Sequence, residues 1–224
     1  MLRIIFLETS LELIPKEILE HPAVVKDAKR RKKHPTKILL DDSKHHSAMQ
    51  KLKNRWKRGR PDIAHYCLLS LLDSKIDKMD IYIHTINNEL IWINRKTRLP
   101  RNYNRFIGLM ENLFEKKAIK AGDEILMEIK NCSISDLLFS TDTVVLMTEH
   151  GNKNERDLKN LIRNDENLTV CIGGFPHGNF SEEVLQLMEK VGAKFVSLGN
   201  ESLTSLYVTN RVICIYENER IQTY

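Results

Sequence analysis

Short apolar runs alternate with amphipathic stretches along this chain, and the alternation predicts an α/β protein. Residues 2–7 are apolar at nearly every position, so we expect a strand that is buried on both faces near the middle of a sheet. Residues 79–85 and 90–94 alternate around a polar tetrapeptide, which predicts a β-hairpin. Further strands are expected at 37–40, 124–129, 144–147, 168–172 and 194–198.

Helices are expected where apolar residues recur at intervals of three and four. These segments are 11–19, 43–49, 60–72, 109–118, 133–139, 154–163 and 181–191. Pro61 suits the first position of its helix, and Asp42 or Ser43 is expected to cap the helix that follows it. The tail at 202–217 has β-branched residues that favour a strand, but its apolar spacing fits a helical face. We predict a helix there, because βαβ alternation follows from the two strands before it.

Two strands in the last quarter of the chain run into loops that contain glycine. Residues 168–172 lead into Gly173-Gly174, and residues 194–198 lead into Gly199-Asn200. A third strand, 144–147, ends in Thr148-Glu149-His150-Gly151. In α/β sheets ligands bind at the carboxyl ends of strands, so these loops are candidates for a ligand pocket; ordinary turns are the alternative. The spacing matches neither a dinucleotide-binding nor a triphosphate-binding glycine loop.

Composition narrows the class of protein. The chain has 224 residues, 42% hydrophobic and 29% charged, which is enough for one large globular domain or two small ones. No apolar run approaches the roughly 18 residues of a membrane span, and the start of the chain does not resemble a signal peptide. The cysteines form no Cys-x-x-Cys pair, so free thiols in a reducing cytoplasm are expected. They are Cys67, Cys132, Cys171 and Cys214.

Three basic stretches are candidate surfaces for an anion, although the formal charge is only +5. Residues 26–33 are typical of a solvated helix face. Residues 51–60 combine cations with Trp56, which suits a phosphate backbone and a stacked base but equally fits a flexible charged loop. Arg98, Arg101 and Arg105 share a face if their segment is helical or turn-like. Without nearby acids, three such guanidinium groups favour a phosphate-binding surface over simple exposure.

Histidines and one aspartate are further candidates for chemistry. His45 and His46 are adjacent, and on a helix they point about 100° apart, so they do not easily share one metal ion. No cysteine or carboxylate completes a ligand set at zinc spacing, so structural or RNA-facing histidines are favoured over a metal site. Asp62 follows Pro61 at a predicted helix start, where an acid is stabilising on structural grounds alone.

Four stretches occur in the order seen in one known family: residues 41–49, 60–65, 98–110 and 172–178. On these residues the chain resembles the archaeal and eukaryotic ribosome-biogenesis pseudouridine N1-methyltransferases. That family belongs to the SPOUT, or α/β-knot, class of S-adenosylmethionine-dependent RNA methyltransferases. The resemblance covers essentially the whole chain. Its specific motifs are Arg60-Pro61-Asp62-Ile63 and the arginine-containing stretch from Arg98 to Met110, whereas the glycine loop alone is not specific.

The resemblance implies one domain over 1–224, with a mostly parallel sheet flanked by helices. A basic extension at about 26–60 and a β-hairpin at about 79–94 would be insertions, and a deep trefoil knot would span about 142–217. The resemblance also implies a homodimer that holds S-adenosylmethionine in the knot, while the cysteines and histidines discussed above predict a cytoplasmic protein without a metal. Its partners would be a small-subunit rRNA hairpin that contains pseudouridine and ribosomal assembly proteins.

The resemblance also implies roles for individual residues. The cofactor-binding positions are Met147, Thr148, Gly173, Gly174, Gly178, Ser197, Leu198, Gly199, Leu203 and Thr204. The RNA-binding positions are Arg60, Arg98, Arg101 and Arg105, and Asp62 lies next to the target base. Asn179 stands where many relatives have Asp, and Tyr207 where Trp is common, so pocket detail is expected to differ.

The expected reaction is methyl transfer to N1 of a pseudouridine. Only this C-glycosidic isomer of uridine has a free N1. Asp62 would orient the base or take the N1 proton, and orientation is the larger role because a free carboxylate is a weak base. One alternative is a ribosome assembly factor that binds rRNA without catalysis. Another is a metal hydrolase built on His45, His46 and His65, which stoichiometric zinc in the pure protein would support.

Overall fold

The computed structural model describes residues 1–199 and 201–221, and within them eight strands form one sheet. The strands are β1 (Leu2–Thr9), β2 (Met79–Thr85), β3 (Leu90–Ile93), β4 (Ala118–Ala121), β5 (Glu124–Lys130), β6 (Thr143–Met147), β7 (Leu168–Gly173) and β8 (Lys194–Val196). Their order across the sheet is β4-β5-β3-β2-β1-β7-β6-β8. Neighbouring strands in the run β2-β1-β7-β6-β8 pair in parallel. The pairs β2–β3, β3–β5 and β5–β4 are antiparallel.

Helices cover both faces of this sheet. They are α1 (Pro22–Arg31), α2 (Asp42–Met49), α3 (Pro61–Asp73), α4 (Tyr103–Lys116), α5 (Ile134–Phe139), α6 (Glu155–Asn164), α7 (Glu182–Lys190) and α8 (Ser205–Arg220). No helix in the described ranges is long and apolar enough to cross a membrane. Helix α8 confirms the helix predicted for the tail of the chain. Asn200, which is part of the predicted loop before that helix, lies outside the described residues.

The central strand shows why both faces are covered. Ile4 and Phe6 point into the core on the α3, α4 and α8 side, whereas Ile5 and Leu7 pack against residues of α5 and α7. This two-residue period is the signature of a strand between two apolar layers, and it confirms the prediction that β1 is central. A separate small core holds α1 and α2 together.

The segment before α1 differs from the prediction. Residues 11–19 do not form a helix: only a 3-10 turn forms, at Lys16–Ile18, and Pro15 is extended. Leu13 instead forms an isolated antiparallel bridge with Leu39, which is also all that remains of the strand predicted at 37–40. Backbone bonds Ile14 N to Ile38 O (2.8 Å) and Leu40 N to Glu12 O (2.9 Å) hold the two segments together. Long-range pairing has won over the local spacing of apolar residues.

Other boundaries move by smaller amounts. Helix α2 is capped by Asp41, whose carboxylate accepts from Ser43 N, and not by Asp42 or Ser43. Helix α4 begins at Tyr103 rather than at 109 and ends where Lys117 adopts a left-handed conformation (φ 65°). The chain then turns into β4, a strand that the apolar pattern did not indicate, because Ala118–Ala121 is only 4 residues long and lies at the sheet edge.

Candidate ligand-binding site

A cavity of about 270 Å³ opens at the carboxyl ends of β6, β7 and β8. The three strands are neighbours in the sheet, so the three loops that follow them meet at one edge. Of the predicted cofactor-binding residues, those that line the cavity are Met147, Thr148, Gly173, Gly178, Ser197, Leu198 and Leu203. The structure therefore brings most of them to one place.

Gly174, Gly199 and Thr204 do not line the cavity. Gly174 packs against β1: its N–H donates to Leu7 O (2.8 Å), and a Cβ added there would lie 2.9 Å from Thr9 Cα. Thr204 caps α8 by accepting from Tyr207 N. Gly199 bonds through its backbone to the Ser197 hydroxyl. These residues shape the loops rather than face the cavity.

Several cavity residues were missed by sequence reasoning. Phe175 and Phe180 pack edge to face, with ring centroids 5.3 Å apart, and stiffen the glycine loop. Ser205, at the start of α8, donates from its hydroxyl to Gly173 O (2.5 Å) and ties the helix to the end of β7. Other lining residues that were missed include His177, Glu201, Ser202 and Val208, whereas Glu149 and Asn179 had been expected near the pocket without an assigned role. Membership in a loop after a strand was the available signal, but only the sheet order shows which loops meet.

The charges around the cavity have one sign. Among the described residues that line it, Glu149 and Glu201 are the acids, and none is Lys or Arg. Apolar side chains such as Ile172, Leu198 and Val208 supply part of the wall. The site therefore suits a partly apolar ligand that carries positive charge, and it is poorly suited to a phosphate group.

Asp62 lies close to this edge of the sheet. Ser10 N donates to Gly174 O (2.9 Å), and the Ser10 hydroxyl accepts from Arg60 N (2.8 Å). The start of α3 is thus two hydrogen bonds away from the glycine loop. Arg60 binds both carboxylate oxygens of Asp62, at 2.8 and 2.7 Å, and this pairing raises the pKa of Arg60. The pair is partly exposed, so the carboxylate remains within reach of a ligand.

The arginine stretch is less regular than predicted. Only Arg105 is helical, in the first turn of α4, while Arg98 and Arg101 lie in the preceding loop. Helical spacing therefore does not place the three side chains on one face. The expected lack of nearby acids is also wrong for Arg101, which pairs with Asp73 at 2.8 Å. All three guanidinium groups belong to exposed residues, so the phosphate-binding surface stays a prediction.

The two other basic stretches are partly internal. Lys57 bonds to Glu8 (2.9 Å), and Arg58 bonds to the buried Glu12 through two nitrogens, at 2.7 and 2.6 Å. In residues 26–33, Arg31 and Lys33 both reach the buried carboxylate of Glu111. A solvated face was therefore the wrong expectation for Arg31, whereas Lys33 is exposed although its ammonium is paired. These acids are far away in the sequence, so only the fold reveals the pairs.

The histidines lie apart from one another. His45 is buried and His46 exposed, although they are adjacent. His65 is buried on α3 and bonds through Nε2 to Pro100 O (2.7 Å). In the described ranges, no group of three or more His, Cys, Asp or Glu residues could hold a metal ion. All four cysteines are free thiols, and Cys67 and Cys171 are buried.

Fold and site together define an α/β protein with a ligand cavity at the carboxyl edge of a parallel sheet, beside a helix start that presents an Arg–Asp pair. The chain belongs to the EMG1/NEP1 methyltransferase family, whose profile matches residues 4–217. Family membership and the expected α/β architecture, a mostly parallel sheet flanked by helices, are thereby confirmed.

Named relatives match over nearly their whole length. The ribosomal RNA small subunit methyltransferase Nep1 of Archaeoglobus fulgidus is 56% identical over 216 residues, which cover 96% of this chain and 95% of that protein. The protein of the same name from Pyrococcus furiosus is 44% identical over 227 residues, with 99% and 98% covered. A crystal structure of the A. fulgidus protein bound to S-adenosylhomocysteine superposes with a TM-score of 0.92 at 55% identity and covers 98% of each chain.

Proposed function

We propose that this protein uses S-adenosylmethionine to methylate N1 of a pseudouridine in a hairpin loop of small-subunit rRNA, during ribosome biogenesis. The observation that carries the proposal is the cavity at the ends of β6, β7 and β8, with Asp62 held beside the same sheet edge. The names of the relatives, and the S-adenosylhomocysteine bound to one of them, support the same reaction class.

The cavity fits the proposed cofactor in charge and in polarity. S-adenosylmethionine supplies a methyl group that is activated by a positively charged sulfonium. Glu149 and Glu201 favour that charge, and the apolar wall suits an adenine ring. Met147, Thr148, Gly173, Gly178, Ser197, Leu198 and Leu203 would contact the cofactor. Gly174, Gly199 and Thr204 would act by holding the loops that supply those contacts.

Asp62 is the residue we assign to the substrate base. Arg60 fixes both oxygens of the carboxylate, so Asp62 presents an oriented acceptor at the start of α3. It would accept a hydrogen bond from N1–H of the pseudouridine and receive that proton as the bond from sulfur to the methyl carbon breaks and the N–C bond forms, with S-adenosylhomocysteine as the leaving group. Uridine has no hydrogen on N1, because its glycosidic bond occupies that nitrogen, so plain uridine should be refused.

RNA would be held by the exposed arginines. Arg98, Arg101 and Arg105 are assigned to phosphate oxygens, and Arg60 to RNA near the target base. A single-stranded loop lets the target base be splayed out at little cost in free energy. We further propose a cytoplasmic homodimer that meets ribosomal assembly proteins, and one domain over 1–224. Its insertions would be at about 26–60 and 79–94, and its knot at about 142–217.

Labelled methyl transfer tests this function most directly. Two matched hairpins differ only in whether the loop carries pseudouridine or uridine, and label is expected on the pseudouridine hairpin alone. Label on the uridine hairpin would contradict the N1 assignment. Label on neither, with both hairpins bound, would favour the non-catalytic assembly factor.

A further inference from the structure

Trp56 is an exposed aromatic side chain beside the cavity. It lies on the 3-10 turn Arg55–Lys57 and is 54% exposed. Its indole approaches Gly178, which lines the cavity: a Cβ added to that glycine would lie 3.3 Å from Nε1 and 3.4 Å from Cδ1 of Trp56. One edge of the ring therefore rests against the glycine loop while half of the side chain faces solvent.

The turn that carries Trp56 is held in place by ion pairs of the next two residues, Lys57 and Arg58. Lys57 is only 8% exposed; its ammonium bonds to Glu8 and lies 4.4 Å above the Phe175 ring. Glu8 also accepts from Ser181 N (3.1 Å), so the same carboxylate holds the turn and the end of the glycine loop. Arg58 is tied to buried Glu12. These bonds pre-position Trp56 against the loop and so reduce the ordering entropy that binding would require.

The surroundings of Trp56 are cationic. Lys51, Lys53 and Arg55 are exposed on the same stretch, in contrast with the neutralised Lys57 and Arg58. An exposed aromatic ring among cations that face solvent combines the two elements of single-strand recognition, which are base stacking and attraction of phosphate. Core packing does not explain the residue, because half of it is outside the core.

We propose that Trp56 is a stacking platform for an unpaired nucleobase of the substrate RNA, at the mouth of the cavity. The proposal rests on the proposed function, since it requires that a single-stranded loop approaches this edge of the sheet. It adds to that function a contact that reads an aromatic base face rather than a phosphate.

Tryptophan fluorescence tests the contact without an activity measurement. The chain has two tryptophans, and Trp92→Phe leaves Trp56 as the reporter while keeping an aromatic ring near Lys130 Nζ. Stacking predicts quenching of Trp56 when the pseudouridine hairpin is added and little change with S-adenosylhomocysteine alone. Quenching by S-adenosylhomocysteine but not by RNA would overturn the proposal, because Trp56 would then face the cofactor.

Binding measurements on single variants complete the test. Trp56→Ala should weaken hairpin binding roughly 5- to 100-fold without changing its salt dependence, since no phosphate contact is removed. Trp56→Phe should recover part of the loss. Phe139→Ala is the control, because Phe139 is equally exposed (56%) but lies on α5, outside the cavity lining. Unchanged binding by Trp56→Ala would overturn the stacking role and leave the proposed function intact, whereas wild-type protein that neither binds nor methylates the hairpin would overturn both.

Discussion

Asp62 is held by Arg60 through two hydrogen bonds. A substitution of Asp62 can therefore distinguish a role in methyl transfer from a role in RNA affinity. Asp62→Asn keeps the size of the side chain but removes the negative charge that would orient the base through N1–H and receive its proton. We expect methyl transfer to fall by about 100-fold or more, in the range for loss of an acid–base group, while hairpin affinity changes less than about threefold. Single-turnover transfer and direct binding measure the two quantities.

Glu219→Gln is the matched control for Asp62→Asn. Glu219 also pairs with an arginine, Arg163, at 2.6 Å, but on α8 and away from the cavity lining. That variant should retain transfer. Equal loss of RNA affinity and transfer in Asp62→Asn would contradict the assigned role, because Asp62 would then act through binding alone.

Arg101 is 72% exposed, and its pair with Asp73 should contribute at most about 1 kcal/mol to stability. Arg101→Ala should therefore fold normally, weaken hairpin binding and lower the slope of log affinity against log salt by about one, as expected for one lost phosphate contact. Titrations at several salt concentrations measure this slope. Arg163→Ala, which removes an arginine paired in the same way, should leave the slope unchanged. An unchanged slope in Arg101→Ala would exclude it from the phosphate-binding surface.

Single residues were predicted from local chemistry better than their partners were. The order Pro61-Asp62 placed an acid in the first turn of α3, which the structure confirms. Nothing in the sequence near Arg101 or Arg58 indicated Asp73 or Glu12, because these pairs join residues 28 and 46 positions apart. Long-range ion pairs depend on the packing of elements, and one sequence does not record that packing.

At the scale of elements, two glycines differ in the space around them: Gly174 is closely packed, whereas Gly108 has room for a side chain. Gly174 lets the end of β7 touch Thr9 of β1, so Gly174→Ala forces the backbones apart and should lower the free energy of unfolding by about 1–3 kcal/mol. Gly108 lies inside α4 with no described atom within 4 Å of an added Cβ. Gly108→Ala should therefore raise the free energy of unfolding by about 0.5–1 kcal/mol. Urea unfolding of both variants compares the two signs, and a stabilising Gly174→Ala would show that the contact with Thr9 is not restrictive.

Helix α2, which packs in the small core with α1, carries a buried histidine. His45 is fully buried; its Nδ1 accepts from Asp41 N, and its Nε2 lies 3.5 Å from Asp27 Oδ2. Burial lowers the pKa of His45, although Asp27 and Asp41 oppose the shift, and Lys44 adds to it. The unfolded chain therefore binds a proton more readily, so the stabilising contribution is complete above pH of about 6.5 and is lost as the pH falls towards the lower folded-state pKa.

His45→Gln should flatten this loss of stability in acid, when unfolding is compared between pH 7.5 and pH 5. The change will be partial, because burial also lowers the pKa of His84. His46→Gln is the control, because the ring of His46 is exposed although His46 is adjacent to His45 in the sequence. A pH dependence that is the same in wild type and His45→Gln would show that His45 does not report on folding.

Periodicity predicted the elements of the sheet core and failed where tertiary pairing competes. The apolar residues of β1, β6 and β7 can only be buried between two layers, so their pattern was decisive. Leu11, Ile14 and Ile18 have spacing that a helix would also satisfy, but Leu13 pairs with Leu39 and Pro15 is extended. The edge strand β4 is only 4 residues long, which is too short to show an alternation of apolar and polar positions, and none of its residues is fully buried.

At the scale of the molecule, the sheet order assembles the site. β7 lies between β1 and β6, so residues from the start, the middle and the end of the chain reach one edge. Each strand end could be predicted as a candidate, but their adjacency could not, because strand order is a global property of the fold. The trefoil knot expected over about 142–217 stays a prediction.

Ligand binding at that edge should stabilise the whole chain. A ligand present at 100 times its dissociation constant adds about 2.7 kcal/mol to the free energy of unfolding. For a domain of this size, that corresponds to a rise in Tm of roughly 5–10 °C. S-adenosylhomocysteine should produce this shift in a thermal scan.

ATP is the control for the same scan, because it shares the adenosine but carries phosphates. Glu149 and Glu201 should repel those phosphates, and no described lysine or arginine lines the cavity to offset the repulsion. ATP should therefore leave Tm within about 1 °C of the value without ligand, since negligible occupancy adds almost nothing to stability. An equal shift with both ligands would indicate that the adenosine alone is recognised, and no shift with either would contradict the proposed cofactor site, because the folded protein would then bind neither ligand.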